Sequence, residues 1–376
     1  MPSSFNVLLT NSTGLYAGGE FYVLELARTL RNRGHKVWVA CKPDNLLLQK
    51  CQQASVPTLP VDFPSNGQLW KFIGILRGYI RDYEIDIVHS NSNYDRTVGA
   101  FAAKLEKKIH VTNVHSFHSL QHNLTHWIRN RWATNHFIVD GMCVRDLLVW
   151  EDHISPSVIS VVYLGVDSES MKPDERSRQT IRKEFGYKDT NVVIGTVGRL
   201  VPFKGQEYLL RAFAQISSNY PDARLLIIGD GELNATLQQL AVGLHIGEFV
   251  SFAGFRDDLP AIYSGFDIYC HPSVEGGGET FPFAVLQALS QQLPVVVTKV
   301  GDVAEMVQDG KNGFVVEDRN PSAIAEKLNE LLSHRERITS IGRESRELLL
   351  KRFTTGAMVD GVEAVYLAMM QKKNHS

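Results

Sequence analysis

Short apolar runs alternate with amphipathic stretches along most of the chain. Residues 6–10 (NVLLT) are the first such run; a loop at 11–19 and an amphipathic stretch at 20–33, closed by Gly34, lead to a second run at 37–40. Strand, glycine loop, helix and strand over this length predict a βαβ unit, and so a parallel sheet with helices on both faces. The pattern continues with strands at 86–89, 110–114, 136–139 and 158–162 and a helix at 94–106. Between 167 and 191 the chain turns polar, which predicts a linker leading into a short helix. A second series follows, with strands at 192–197, 224–228, 250–252, 267–270, 294–298 and 313–316. Helices are expected at 205–217, 232–242, 283–291, 321–332, 335–352 and 354–371. The result is two similar α/β halves without a sequence repeat between them.

Ligands in such sheets bind outside the carboxyl ends of the strands. Three loops there carry candidate chemistry. The turn from Glu275 to Glu279 contains three consecutive glycines, which open backbone angles closed to other residues and admit a ligand close to the main chain. It feeds the helix at 283–291, whose N-terminus suits an anion such as a phosphate. The loop VGRLVPFKG (residues 197–205) places Arg199 and Lys204 five apart after a strand. A planar guanidinium fork and an ammonium could clamp a diphosphate, a solvated basic loop being the alternative. Gly229, in GDGE, opens either a tight turn or a ligand wall. Gly18 and Gly19 follow the first strand but do not fit the GxGxxG dinucleotide spacing.

Composition removes several classes. The 376 residues are 44% hydrophobic and 21% charged with a formal net charge of -2, so no positive field exists to collect nucleic acid. Cys41, Cys51, Cys143 and Cys270 are scattered without a CxxC pair, which predicts reduced thiols in a cytoplasmic protein. No signal peptide or membrane-length apolar run is visible. His122 and His126 have the spacing of a helical zinc pair but lack the glutamate of HExxH, so no metal or other cofactor is expected. His115 follows a buried strand and could donate a hydrogen bond to a substrate hydroxyl. Residues 68–83 and 127–132 mix basic and aromatic side chains; each reads either as a packed helix or as a contact with an anionic membrane surface.

Taken together, these motifs resemble the retaining glycosyltransferases of the GT4 family. The resemblance runs through residues 18–39, DIVHSN (86–91), the strand into His115, YLGVD (163–167), VGRLVPFKG (197–205), LLIIGDGE (225–232) and residues 250–273. It implies the GT-B fold: two facing Rossmann-like doubly wound α/β domains with an interdomain cleft. An acceptor-binding domain would span 1–168, a nucleotide-sugar-binding domain 169–353, and a terminal helix, 354–376, would cross back to the first. By the same resemblance, Arg199 and Lys204 bind the donor diphosphate and stabilise the departing nucleotide without a metal, and His115 faces the donor sugar. Gly18, Gly19 and Gly229 line the donor, and Glu279, Thr280, Phe281 and Pro282 open the EX7E signature, with Glu279 toward the sugar hydroxyls and Glu275 its rival. The second glutamate of that signature, a ribose partner, falls on Gln287. Leu164 replaces an asparagine, and Asp140 a serine common in its strand.

The implied activity is transfer of a hexose-type sugar from a UDP- or GDP-sugar to a glycan or lipid-linked acceptor in polysaccharide, lipopolysaccharide or glycolipid synthesis. The expected location is cytoplasmic, with peripheral contact at the inner membrane face. A GT-B nucleotide-sugar epimerase and a non-catalytic sugar-nucleotide-binding subunit are the alternatives, and the oligomeric state is left open.

Overall fold

The first apolar run forms β1, Asn6–Asn11, with Val7, Leu8 and Leu9 fully buried. The structure is a computed structural model that describes residues 4–14, 18–63, 68–120 and 123–374. The chain divides into two compact units, Met1–Leu164 with Thr355–Ser376, and Gly165–Thr354.

In the first unit β1 is followed by α1 (Gly18–Asn32), β2 (Lys36–Cys41), α2 (Leu46–Gln53), β3 (Thr58–Pro60), α3 (Leu69–Asp82) and β4 (Ile87–Ser90). Then come α4 (Asn93–Leu105), β5 (Ile109–Val114), α5 (Leu124–Ile128), a π-helical turn (Arg129–Ala133), β6 (His136–Val139), α6 (Met142–Trp150) and β7 (Ile159–Val161). All seven strands are parallel, in the order β3-β2-β1-β4-β5-β6-β7. Chain order reverses between β1 and β4, and there Asp95 at the start of α4 accepts from the Thr10 hydroxyl at 2.7 Å and the Asn91 N–H at 3.0 Å. On α3, Phe72, Ile73, Leu76 and Ile80 recur at helical spacing and are buried, while Arg77 and Arg81 converge on Glu106 at 2.6 Å each. The predicted helix at 68–83 is therefore packed, and its two arginines are already paired.

In the second unit the polar stretch after residue 167 contains α7 (Glu175–Glu184). It is followed by β8 (Val192–Val197), α8 (Gln206–Ile216), β9 (Ala223–Ile228), α9 (Asn234–Gly243), β10 (Val250–Phe252), α10 (Leu259–Ser264) and β11 (Ile268–His271). The unit continues with α11 (Phe283–Ser290), β12 (Val295–Thr298), α12 (Val303–Met306), β13 (Gly313–Val316), α13 (Pro321–Ser333) and α14 (Glu336–Arg352). Six parallel strands lie in the order β10-β9-β8-β11-β12-β13, with the reversal between β8 and β11.

The final helix, α15 (Thr355–Asn374), belongs to the first unit. Met358, Val359, Val362, Tyr366 and Met369 are buried at helical spacing. An ion pair of Arg33 with Asp360 (2.7 Å) and a hydrogen bond from His35 Nε2 to Glu363 (2.8 Å) tie it to the segment after α1.

Several elements depart from the sequence expectation. α2, β3, α6, α10 and α12 have no counterpart in it, being short or weakly periodic. α2 nevertheless had a readable start: Asn45 caps it by accepting the Leu48 N–H at 2.8 Å. The expected short helix is α7, and it docks through charge as well as through the buried Ile181. Arg178 and the buried Arg182 bind Asp267 at 2.6 and 3.1 Å, and Arg182 also donates to the Lys188 and Asn191 carbonyls.

Candidate active site

The loop after β8 is shaped by glycines. Gly198 N–H donates to the Ile228 carbonyl at 3.0 Å and Leu200 N–H to the Asp230 carbonyl at 2.9 Å, so the GDGE turn holds the Arg199 backbone. A Cβ on Gly229, which has φ +132°, would run into the Gly198 carbonyl oxygen. Gly229 is thus a tight brace for the neighbouring loop. Downstream, Gly205 takes φ +64° and a Cβ there would strike the Pro272 carbonyl oxygen. That close approach, with the Val274 N–H donating to the Phe203 carbonyl at 2.8 Å, fastens the loop to the end of β11.

The result is a buried ion pair between Lys204 and Glu279, whose side chains are 16% and 10% exposed. The glycine-rich turn is shaped around it. Gly276 and Gly278 have φ of +91° and +78°, and Gly277 packs so tightly on Phe203 that a Cβ would overlap that ring. Glu279 also accepts from the Ser273 hydroxyl at 2.9 Å and lies 3.4 Å from His271 Nε2. Burial alone would raise the Glu279 carboxyl, but Lys204 and His271 outweigh it and hold the group well below the ordinary carboxylate range. His271 is pushed down, by burial first, against the opposing pull of Glu279. The site thus keeps Glu279 ionised against Lys204, with His271 beside the same carboxylate.

The structure brings Arg199, Lys204, Gly229 and Glu279 to the reversal between β8 and β11, where this type of sheet places its ligand. Arg199 is exposed, with its guanidinium 5.5 Å from the Phe203 ring. Thr280, Phe281 and Pro282 continue from Glu279. The Thr280 carbonyl accepts the Asp302 N–H at 2.9 Å, Phe281 packs edge-on against Phe353 at 5.6 Å, and Pro282 caps α11. Gln287 is buried on α11. Glu275 is exposed, its N–H bound to Asp318 at 2.9 Å and its carbonyl accepting from Arg319 at 3.0 Å.

In the first unit, His115 follows β5 and its Nδ1 is 2.7 Å from Asp140, which follows β6. The Tyr22 ring meets the imidazole edge-on at 4.8 Å, and a Cβ on Gly19 would lie 3.9 Å from it. Gly18 and Gly19 begin α1 rather than a loop. His122 lies outside the described residues; among those described, no group of three or more His, Cys, Asp or Glu could hold a metal ion. A groove of about 560 Å³ along the C-terminal half of α1, lined by Leu24, Arg28, Arg31 and Lys50 among others, contains none of the expected site residues.

Sequence reasoning did not single out His271 or Ser273. A signal was present: Tyr269, His271 and Ser273 alternate at the period of a strand, which turns all three to one face. In the structure Tyr269 is 3.2 Å from His271 Nδ1, and Ser273 is 3.1 Å from His271 Nε2.

The family described as "Glycosyltransferase Family 4" matches residues 16–170, and the one described as "Glycosyl transferases group 1" matches residues 177–348. The chain belongs to glycosyltransferase family 4. The GDP-mannose-dependent alpha-(1-6)-phosphatidylinositol monomannoside mannosyltransferase of Mycolicibacterium smegmatis is 34% identical over 192 residues, 50% of this chain and 50% of that protein. The chain therefore spans about half the length of that relative. Over 78% of both chains, this family 4 member is 25% identical to the Escherichia coli UDP-Gal:alpha-D-GlcNAc-diphosphoundecaprenol alpha-1,3-galactosyltransferase. Among solved structures, Anabaena HepE in complex with UDP-glucose superposes with a TM-score of 0.84 at 23% identity, covering 98% of this chain and 100% of that one. The two parallel sheets flanked by helices are those of the GT-B fold, as the motifs led us to expect.

Proposed function

We propose that this family 4 member transfers a hexose-type sugar from a UDP- or GDP-sugar to a glycan or lipid-linked acceptor of polysaccharide, lipopolysaccharide or glycolipid synthesis. The transfer retains the anomeric configuration and uses no metal ion. The observation that carries this reading is the Lys204–Glu279 pair, buried beside the exposed Arg199 at the reversal between β8 and β11. Arg199 grips the donor diphosphate with its planar fork and Lys204 adds a point charge. Both then meet the negative charge that develops on the departing nucleoside diphosphate, with positive charge fixed in advance by the braced loops. Lys204 has three N–H donors, enough to hold Glu279 and a phosphate oxygen together. Glu279 accepts from sugar hydroxyls, oriented by Ser273 and His271; its burial beside Lys204 favours it over the exposed Glu275. Gly18, Gly19, Gly229, Thr280, Phe281 and Pro282 complete the donor contacts, Gln287 meets the ribose, and His115 meets the sugar.

Donor chemistry differs among the relatives: the mycobacterial protein is named for GDP-mannose and the Escherichia coli one for UDP-galactose. Calorimetry with UDP and with GDP, followed by turnover of the matching sugars with and without acceptor extracts, tests the proposal. Sugar transfer that requires acceptor supports it, and absence of binding to either nucleotide at millimolar concentration overturns it. Donor conversion without acceptor would instead identify an epimerase, and binding without any turnover a non-catalytic subunit.

Peripheral contact with the cytoplasmic membrane face is part of the same proposal. It is supported by Leu124, Trp127 and Trp132, which are 71%, 43% and 54% exposed, with Arg131 5.2 Å from the Trp127 ring and Lys104 4.9 Å from that of Trp132. Among the described residues no helix is long and apolar enough to cross a membrane. Cosedimentation with phosphatidylglycerol vesicles, reduced in a Trp127→Ser/Trp132→Ser variant, is the expected result.

A further inference from the structure

Buried hydrogen bonds in the first unit form a chain whose direction can be read link by link. His89 lies between Tyr366 on α15, whose hydroxyl is 2.6 Å from Nδ1, and Asn113 on β5, whose Oδ1 is 2.9 Å from Nε2. Burial lowers His89 to about 3, so the ring is neutral and carries one proton. An amide oxygen only accepts, so that proton sits on Nε2 and the Tyr366 hydroxyl donates to Nδ1. The Tyr22 hydroxyl donates to the same Asn113 oxygen at 3.2 Å. With its oxygen engaged on that side, Asn113 turns its NH2 toward Asp140 Oδ1, 3.5 Å away. The other oxygen, Oδ2, is the one 2.7 Å from His115 Nδ1. Asp140 itself is 1% exposed, so neither oxygen has water as an alternative partner.

We propose that Asp140 is a positioning residue for His115, holding a proton on Nδ1 so that in the single-proton ring Nε2 meets the ligand as a hydrogen-bond acceptor. A carboxylate offers only lone pairs, so the nitrogen facing it must carry the proton. This reverses the donor role expected for His115 from sequence. A sugar hydroxyl would give its proton to Nε2, leaving its own oxygen lone pairs free for other contacts. The serine common at this place could either donate or accept, and would not choose between the tautomers. The chain through Asn113, His89 and Tyr366 carries the same constraint back to the terminal helix, because flipping any one member would set donor against donor or acceptor against acceptor.

The inference rests on the proposed sugar contact of His115, but its first test needs no substrate. Long-range proton–nitrogen NMR of histidine-labelled protein at neutral pH should show His115 protonated at Nδ1 alone. In Asp140→Asn, with one oxygen for two donors, a large share of the ring should move to Nε2–H, with the unfolding temperature reported alongside to exclude collapse. Wild-type protein found as Nε2–H, or Asp140→Asn unchanged in tautomer, overturns the proposal. In turnover, Asp140→Asn should lower kcat/KM for the sugar donor roughly 10- to 100-fold, by analogy with the loss seen when the carboxylate partner of a metal-ligating histidine is removed. Affinity for the free nucleoside diphosphate, which has no sugar, should stay as in wild type. If sugar turnover is unaffected, Asp140 has no positioning role although the transferase reading stands. If neither UDP nor GDP binds, that reading fails while the tautomer result still decides the part played by Asp140.

Discussion

Beyond β8 and β11, Lys204 and Glu279 are held together as opposite charges by turns in which Gly205 and Gly277 leave no space for a side chain. At the carboxyl ends of β4 and β5, by contrast, His89 is neutral and linked to Tyr366 and Asn113 through bonds that run in one direction only. The difference separates two ways of preorganising a polar site. A buried ion pair can exchange partners with a charged ligand, since a phosphate can take over part of the ammonium and a hydroxyl part of the carboxylate. A directional neutral chain cannot open at one link without stranding a buried donor or acceptor, each at roughly 1–3 kcal/mol. The first suits groups that must bind and release a diphosphate, and the second suits a frame that must hold one side chain still.

The largest effect should come from breaking the ionic centre. Lys204→Ala removes the proposed diphosphate contact and leaves the largely buried Glu279 without its closest counter-ion. Turnover should fall about 100- to 1,000-fold, as when a fixed donor to developing negative charge is lost, and stability by roughly 3 kcal/mol. Adding Glu279→Gln should recover most of the stability and none of the activity, read by urea unfolding and donor turnover. Recovery of activity in the double variant would show that Lys204 serves only to neutralise Glu279.

The backbone beneath that pair offers the next effect. Gly205→Ala asks an L-residue to hold φ +64° while its Cβ meets the Pro272 carbonyl oxygen. A loss of about 2–3 kcal/mol is expected, with weaker nucleotide binding because Lys204 moves with the loop. Unchanged unfolding and calorimetry would mean that the loop is not positioned by this contact. No comparable glycine underlies the His115 contacts: Gly19 has room for a Cβ at 3.9 Å, so Gly19→Ala should fold as wild type.

Acid should separate the units in the opposite sense. In the first, burial lowers His89 to about 3 and His136 to about 4, and His110 falls well below its ordinary value. Above pH ~6.5 these rings are neutral whether folded or unfolded, and the stability they contribute is fully present. As pH falls below that value the unfolded chain takes up protons that the folded unit refuses. Each histidine then costs up to ~1.4 kcal/mol per pH unit until its own folded pKa is reached. In the second unit His271 is lowered in the same direction, while Glu279 holds its charge below the ordinary carboxylate range and loses its contribution only in stronger acid. Hydrogen exchange, corrected for intrinsic rates, should therefore show the first unit loosening before the second between pH 6.5 and 4.5. Equal loosening would mean that the buried rings accept protons where they sit.

How much of this was legible depended on whether a residue's role follows from its own type. The doubly wound class was readable because buried parallel strands are largely apolar, as 192–197 and 294–298 are. The place of Arg199 and Lys204 at the ligand end of the sheet was readable because both follow the strand at 192–197. Hidden from that reading were features made by partners distant in sequence. The docking of α7 was hidden because Asp267, the anion that receives its arginines, lies 85 residues beyond Arg182. Asp140 looked like a simple departure from a serine until β5 and β6 brought it to His115. Gly229 could have been turn or wall, and its part as a brace became visible only with the Gly198 carbonyl against it.

Gln287 gives the smallest expected effect, and the one that most directly asks whether the second unit relies on charge throughout. It stands where the family signature carries a glutamate, is 6% exposed, and lies on the helix that Pro282 caps. Gln287→Glu would replace a neutral acceptor by a charged one toward the ribose hydroxyls. A charge-assisted bond exceeds a neutral one by about 1 kcal/mol, or roughly fivefold in affinity. Against this, a carboxylate at so buried a position raises the free energy of the empty protein, so the unliganded variant should unfold earlier and regain the difference when nucleotide is added. Tighter binding of UDP or GDP together with a larger ligand-induced rise in Tm would show that Gln287 meets the ribose and weakens a grip the fold can support. Unchanged affinity with lower stability would show that the side chain is packing on α11, and that nucleotide recognition in this unit rests on Arg199 and Lys204.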